Sequence, residues 1–162
     1  PQGLLGRILH MDDLQKGRLL VFAQFGLIII LALFPDSQNV NPQVDIAGTV
    51  LLFLGLILLF AGFRGLGKSL TANPVPVEDG VLVTTGIYAR LRHPIYTGLL
   101  VLTMGLVVAS GVWAQLIAWF GLLGLLIYKM RWEETLLTAK YKGYAAYKSR
   151  VPALFPKLGS TK

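Results

Sequence analysis

Three long apolar runs constrain the fold of this chain more than any other feature of its sequence. They cover residues 19–34, broken only by Gln24, residues 46–63 and residues 95–128. As one helix the third run would reach roughly 50 Å, which is too long for a single crossing of a bilayer core of about 30 Å. We therefore predict a helical hairpin that turns near residues 110–112, and an all-α integral membrane fold with four transmembrane helices.

The composition agrees with a membrane protein. Hydrophobic residues make up 54% of the 162 residues and the mean hydropathy is +0.64, which is too apolar for an ordinary soluble domain of this size. The sequence has no cysteine, so disulfides, zinc–thiolate sites and iron–sulfur clusters are excluded, and we expect no metal site. The first run lacks a small-residue cleavage site and is followed by further runs, which favours a membrane helix over a signal peptide.

The basic residues fall on one side of the predicted four-helix arrangement. They precede the first run, lie between the second and third runs, or follow the last, whereas the loop at residues 35–45 carries two aspartates and no Lys or Arg. By the positive-inside rule, both termini and the loop at residues 64–94 are expected in the cytoplasm. The net charge of +7 is explained by this topology and by attraction to anionic lipid headgroups, so we expect no nucleic-acid partner.

This interpretation divides the chain into three regions. Residues 1–18 form an N-terminal cytoplasmic or interfacial segment with an amphipathic stretch at residues 4–14, and residues 19–63 hold the first two transmembrane helices. Residues 64–162 combine the cytoplasmic loop, the hairpin at residues 95–128 and the C-terminal tail. Because the outer loops are short, we expect the chemistry on the cytoplasmic face, where this loop and the tail meet.

One motif in the loop is misleading. Residues 62–69, GFRGLGKS, match the phosphate-binding pattern G-x-x-x-x-G-K-[ST]. That loop works only between a strand and a helix whose N-terminus holds the phosphate. Here an apolar membrane helix precedes it, and Pro74 and Pro76 prevent an immediate helix after it. We interpret the stretch as a glycine-rich helix exit that places Arg64 and Lys68 at the lipid headgroups.

Two polar clusters flank the predicted hairpin. The first is VLVTTGIYARLRHPIYTG at residues 81–98, which predicts a short extended piece, a turn at Gly86 and a helix that begins at Pro94. The second is the adjacent pair Glu133 and Glu134, in a basic stretch of the chain. Each residue alone is typical of an anchor at the membrane interface. Two clusters on one face of the membrane indicate a site instead.

The tail that follows contains a regular row of tyrosines. Tyr141, Tyr144 and Tyr147 recur at a spacing of three, which puts them near one face of a helix. Such a row either packs against the bilayer interface and the loop at residues 64–94, or forms the wall of a cavity.

Together these stretches resemble the isoprenylcysteine carboxyl methyltransferase family, small integral-membrane methyltransferases related to phospholipid N-methyltransferases. The resemblance spans roughly residues 75–158, about half the chain. The tail departs from the family pattern, because KYKGY at residues 140–144 lacks the acidic residue that usually precedes the tyrosine. The matching residues are LVTTGIY at 82–88, RHPIYTG at 92–98, Glu133, Glu134 and Leu137, and in the tail Tyr144, Tyr147, Val151, Pro152 and Pro156.

The resemblance implies that S-adenosyl-L-methionine binds at the cytoplasmic face, between the loop, the hairpin and the tail. It implies catalytic roles for Arg92, His93 and Glu134, with Arg92 near the reacting centre. It implies contacts to the cofactor from Val83, Gly86, Tyr88, His93, Tyr96, Gly98, Glu133 and Glu134.

Methyl transfer from a sulfonium also suits these residue types chemically. It is an in-line displacement that needs positioning and a desolvated site. A glutamate can pair with the cofactor ammonium, His93 or a backbone N–H can bind its carboxylate, and tyrosine faces attract the sulfonium. A carboxylate acceptor arrives ionised and would be held by Arg92 through two hydrogen bonds, whereas an amine or thiol acceptor needs a base.

The sequence leaves several functions open. We expect a lipid-like or prenylated acceptor with a carboxylate, and a phospholipid amine or a small thiol is the alternative. Membrane reductases of the sterol type, which use NADPH, have a similar R-H-P-like motif and tyrosine-rich tail, but they are much longer. A non-catalytic membrane scaffold would explain the apolar runs but not the two polar clusters.

Overall fold

The computed structural model describes residues 12–156, in which five α-helices and two short 3-10 helices, Gly67–Ser69 and Gly86–Ala89, are connected by loops. No strand occurs within these residues, so the all-α prediction is confirmed for them. Most of the predicted amphipathic stretch at residues 4–14 lies outside the described part. The α-helices are α1 (Asp13–Leu33), α2 (Pro42–Leu66), α3 (Pro94–Ser110), α4 (Gln115–Lys140) and α5 (Tyr144–Arg150).

Polar caps and prolines set where the long helices begin. Asp12 accepts a hydrogen bond from the backbone N–H of Gln15 at 2.7 Å and so caps α1. Asn41 caps α2 in the same way, with Pro42 in its first turn. Pro94 lies in the first turn of α3, as the sequence predicts, and α3 ends at Gly111, whose φ of 66° is left-handed. The break between α3 and α4 therefore falls where the sequence predicts the hairpin turn.

Within the described residues, two helical segments are long and apolar enough to cross a membrane. They are Asp13–Leu33 and Pro42–Ser69, whereas Pro94–Ser110 is apolar but shorter, at 17 residues. Large apolar side chains such as Phe22, Phe53 and Phe60 are exposed on the first two segments, as expected for surfaces that face lipid. The four-helix transmembrane arrangement and its orientation stay predictions.

A seam of small residues joins α2 to α3 and determines where the site is built. A Cβ atom added to Gly55 would lie 2.5 Å from the backbone nitrogen of Leu102, so the two helices approach almost backbone to backbone. At one end of the seam Gly62 lies against Ile95, which fixes the first turn of α3 beside the last turns of α2. The facing residues are Gly48 and Ala109, Gly55 and Leu102, and Gly62 and Ile95, and α3 adds Gly98 and Gly105.

The remaining helices pack around this pair. Leu100 and Val107 of α3 lie in one buried cluster with Leu122 and Leu126 of α4, and Leu31 of α1 completes it. This core contacts α3 along most of its length, from Tyr96 to Val107. The C-terminal half of α4 and the short α5 continue beyond it, and these carry the second polar cluster.

Candidate active site

A cavity of about 410 Å³ lies where the loop between α2 and α3 meets the tail. Its size is in the range of small-molecule binding sites, and most of its lining side chains are apolar or aromatic. The polar side chains in the wall come from several elements. They are Gln24 of α1, Ser69 and Thr71 of the loop, Tyr88, Arg92, His93 and Tyr96 before and in α3, Lys129 and Glu133 of α4, and Tyr141, Tyr144 and Tyr147.

The tail folds back over the start of α3. The backbone N–H of Arg92 donates to the carbonyl of Pro152 at 2.9 Å, and that of His93 donates to the carbonyl of Ala153 at 3.0 Å. The hydroxyl of Thr97 donates to the carbonyl of Leu154 at 2.7 Å. Groups at a helix N-terminus lack partners within the helix, so these tail carbonyls satisfy them. The tail and the R-H-P segment thus form one rigid edge of the cavity.

Glu134 holds that edge to α4 through a buried ion network. Its Oε1 accepts from Arg92 Nε at 2.8 Å and lies 3.1 Å from His93 Nε2, and its Oε2 lies 2.7 Å from Lys148 Nζ of α5. Burial on its own would raise the pKa of Glu134. The hydrogen bonds from His93, Lys148 and Arg92 outweigh that effect and hold the pKa well below its usual value. Glu134 is therefore ionised, and it is 4% exposed.

The guanidinium of Arg92 is largely used within the protein. Besides its contacts to Glu134, its Nη1 donates to the carbonyl of Lys148 at 3.0 Å and to that of Val151. Arginine has five N–H donors, so these bonds leave little of the group for a ligand. Arg92 lines the cavity but acts mainly as the link between α4 and the tail.

Glu133, one residue before, faces the cavity. Its Oε2 accepts from the hydroxyl of Tyr96 at 2.6 Å and lies 3.9 Å from Nδ1 of His93. The His93 and Tyr96 rings are stacked, with centroids 5.3 Å apart and an interplanar angle of 5°. His93 therefore lies between two carboxylates, with one ring nitrogen towards each. Since its side chain is 25% exposed, Glu133 is the carboxylate of the pair that a ligand can reach.

Tyrosines from the loop and the tail form another part of the cavity wall. The hydroxyl of Tyr88 donates to the carbonyl of Gly62, and that of Tyr147 donates to the carbonyl of Tyr88 at 2.6 Å. Tyr144 packs edge-on against Tyr147, and within the described residues its buried hydroxyl has no hydrogen-bond partner. Burial, followed by the charge of Glu134, raises the pKa of Tyr144, so this hydroxyl keeps its proton. Tyr144 is 1% exposed, so its ring forms part of the wall while its hydroxyl is closed off from the cavity.

Most of the site residues that the sequence predicts lie in the wall of this cavity, and three of them do not. Gly86, with a φ of 61°, begins the short helix Gly86–Ala89 and supplies a turn. Gly98 belongs to the seam with α2, because an added Cβ would lie 2.8 Å from the nitrogen of Leu59. Glu134 lies behind the wall in its ion network. The expected residues in the wall are Val83, Tyr88, Arg92, His93, Tyr96 and Glu133.

Sequence reasoning missed one polar contact in the wall. Lys129 is 2% exposed, and its Nζ donates to Gln24 Oε1 at 2.8 Å and to the carbonyl of Ala72 at 3.1 Å. A signal was present, because Gln24 is the single polar residue in the first apolar run. Its partner, 105 positions away in the chain, could not be identified from that signal alone.

Comparison with known protein families identifies one match. The family model described as phospholipid methyltransferase matches residues 44–143, which include most of α2, the loop, α3 and α4. The match covers more than half of the chain and contains the R-H-P segment and both glutamates. No curated protein matches the chain.

Proposed function

The chain belongs to the phospholipid methyltransferase family, which includes isoprenylcysteine carboxyl methyltransferases and phospholipid N-methyltransferases, and from this premise we propose that it methylates a lipid amine with S-adenosyl-L-methionine. The family makes the protein a membrane methyltransferase with a lipid-like substrate. The identity of the methyl donor and of the accepting group is our proposal. The observation that carries it is Glu133, an accessible carboxylate in the cavity wall beside His93.

The cavity wall suits the proposed methyl donor. When bound, S-adenosyl-L-methionine supplies a methyl group on a cationic sulfur, and the new bond to the acceptor forms as the bond to sulfur breaks with its electron pair left on sulfur. The aromatic faces of Tyr88 in the loop and Tyr147 in the tail attract a cation of this kind.

The acceptor amine is protonated at neutral pH and must lose a proton before it can react. Glu133 accepts that proton at its carboxylate, and His93 Nδ1, 3.9 Å away, is the next group that can take it. Glu134 holds the other ring nitrogen of His93 and so orients the imidazole. The apolar remainder of the wall excludes water from the reacting groups.

A carboxylate acceptor is less well supported than the sequence led us to expect. That expectation assigned two hydrogen bonds to Arg92, whose donors are occupied by Glu134 and by the carbonyls of Lys148 and Val151. The family match favours methyl transfer over the NADPH-dependent reductase and over the scaffold. An amine acceptor needs no rearrangement of Arg92, and we therefore favour it.

The test has two steps. Titration calorimetry of the detergent-purified protein with S-adenosylhomocysteine, and with NADPH in parallel, identifies the cofactor class. Radiolabelled S-adenosylmethionine is then offered with phosphatidylethanolamine or with an S-prenylated cysteine. We expect binding of S-adenosylhomocysteine and label in the amine lipid, with both reduced in Glu133→Gln. Binding of NADPH alone, or label only as a base-labile methyl ester, contradicts the proposal.

A further inference from the structure

Lys129 is a buried ammonium that forms no ion pair with any residue that the structure describes. It lies on α4 one helical turn before Glu133, and its side chain lines the cavity. Its two acceptors, Gln24 Oε1 and the carbonyl of Ala72, are both neutral. Over residues 12–156, the ion pairs involve other groups, and no carboxylate pairs with Lys129. The ammonium in the cavity wall therefore forms no direct ion pair, and the charge of Glu133, one turn away, acts on it only from a distance.

Packing does not account for this pair of residues. A charged group removed from water is costly unless it is compensated, and a leucine at either position would fill the space without that cost. Gln24 is 6% exposed, in the middle of a helix that is otherwise apolar over residues 19–34. The ring of Tyr96, whose centroid is 5.3 Å from Lys129 Nζ, also favours the charged form. Two helices thus contribute costly side chains to hold one ammonium at the cavity.

The wall of α4 presents this ammonium and the Glu133 carboxylate at an i, i+4 spacing, about 6 Å along the helix axis. The two groups are kept apart, because Glu133 bonds to the hydroxyl of Tyr96. We propose that Lys129, positioned by Gln24, binds the phosphate of the lipid acceptor while Glu133 faces its amine. This inference rests on the function proposed above and names its substrate class, a phospholipid with an amine close to the phosphate.

The same charge pattern would also fit the amino-acid end of the methyl donor, whose carboxylate is the other anion available. The neighbourhood of Lys129 favours the lipid. Gln24 and Phe25 belong to α1, a helix apolar enough to cross a membrane, and Phe25 and Phe63 in the wall are about half exposed. The tyrosines assigned to the donor come instead from the loop and the tail. We therefore assign the ammonium to the lipid phosphate and the tyrosines of the loop and the tail to the donor.

The experiment measures binding alone, without methyl transfer. Short-chain phosphatidic acid, which carries the phosphate but no amine, is titrated into the detergent-purified protein, with diacylglycerol of the same chains as the neutral control. We expect Lys129→Met to weaken phosphatidic acid binding about tenfold or more while S-adenosylhomocysteine binding is unchanged. Gln24→Leu weakens it less, and Lys142→Met, which removes the same charge from an exposed position outside the cavity wall, leaves it unchanged.

Several outcomes overturn the proposal. The proposal is wrong if the unaltered protein binds phosphatidic acid and diacylglycerol with equal affinity. Equal affinity of the unaltered protein and Lys129→Met for phosphatidic acid also contradicts it. If Lys129→Met loses S-adenosylhomocysteine binding but not lipid binding, the ammonium belongs to the donor carboxylate. If Lys129→Met fails to fold, Gln24→Leu takes its place, and an unchanged affinity of Gln24→Leu for phosphatidic acid contradicts the proposal. These binding results can be interpreted even if the methylation assay fails, because they do not require methyl transfer.

Discussion

At the scale of single residues, the adjacent glutamates of α4 illustrate how helical geometry separates two tasks. Neighbours on a helix point about 100° apart, so Glu133 and Glu134 cannot face the same surroundings. Glu134 is directed into the ion network with Arg92, His93 and Lys148, whereas Glu133 reaches the cavity. One carboxylate therefore holds the site together, and the other is available to a ligand.

Replacing each glutamate by glutamine should separate these two tasks. Glu134→Gln leaves the largely buried Arg92 and His93, and the half-exposed Lys148, without the carboxylate that they face, and loss of one partner of a buried ion pair costs about 3–5 kcal/mol. Glu133→Gln, the matched control, should melt close to the unaltered protein but bind S-adenosylhomocysteine or the amine lipid more weakly. Thermal unfolding in detergent and titration calorimetry measure the two effects. Equal melting of both variants would contradict this division.

The same network makes a prediction about pH. The folded-state pKa of Glu134 is held below its unfolded value, so its stabilising effect is complete above the unfolded pKa and is lost as the pH falls. With an unfolded pKa of about 4.3, the loss begins below about pH 5. The melting temperatures of the unaltered protein and Glu134→Gln should therefore begin to converge below about pH 5 and keep converging down to the lowest pH at which the protein stays folded, because the loss is complete only below the folded-state pKa. A gap that stays constant over this range would show that Glu134 is not the titrating group.

The sequence predicted which residues would come together in the site better than it predicted the contacts that hold them. It brought Arg92 and His93 near the glutamate pair, because both clusters lie at the same end of the predicted hairpin. It did not predict Lys148 as a partner of Glu134, or the tail carbonyls that meet the start of α3. Those contacts depend on how the tail folds back in space, which no local spacing specifies.

At the scale of the elements, the seam between α2 and α3 positions the site. Glycines recur every seven residues along α2, at Gly48, Gly55 and Gly62, which brings them to one face of the helix. Helix α3 then approaches this face of α2 closely enough to fix where Pro94, the first residue of α3, lies along α2. Because His93 and Tyr96 lie at that point, a displacement of α3 along the seam would move both side chains in the cavity.

An alanine at the middle of the seam should therefore affect both stability and binding. The Cβ of Gly55→Ala would meet the backbone of Leu102 at 2.5–2.6 Å, which a side-chain rotation cannot relieve. We expect a loss of about 1–3 kcal/mol and weaker S-adenosylhomocysteine binding. The control is Gly124→Ala in α4, where an added Cβ meets nothing within 4 Å and stability should be unchanged or slightly higher. Thermal melting and titration calorimetry measure stability and binding in both variants. Equal melting temperatures and equal affinities would contradict the proposal that the seam positions the site.

The elements were predictable where local chemistry decides them. Pro94 and the Ser110–Gly111 break gave the start and end of α3 from the sequence alone. The first two helices are longer than their apolar runs, because the polar caps Asp12 and Asn41 begin them several residues earlier. The seam itself was not predicted, although its glycine spacing is visible in the sequence. A row of glycines on one face of a helix predicts that another element packs closely against it. Which helix does so depends on the tertiary fold, which this spacing does not specify.

At the scale of the whole molecule, the structure separates two ends of different character. At one end the loop between α1 and α2 meets the turn between α3 and α4, where Ser37 N–H donates to the Ser110 carbonyl at 2.8 Å. Neither connection contains a lysine or an arginine. The cavity, the tail and the basic residues Arg92, Lys140 and Lys148 lie at the other end. This separation of charge is what the positive-inside rule requires of four membrane-crossing helices.

The predicted topology can be tested by chemical labelling, since the sequence has no cysteine to interfere. Asn39→Cys lies in the loop between α1 and α2, Lys142→Cys lies between α4 and α5, and both positions are exposed. If both termini and the site face the cytoplasm, a membrane-impermeant maleimide added to intact bacterial cells should label position 39 and not position 142, and lysis should make position 142 reactive. Labelling of both positions in intact cells would mean that one of the helices α2, α3 and α4, which lie between them, does not complete a crossing. Labelling of position 142 alone would mean that the site faces outwards and receives its acceptor lipid from the outer leaflet.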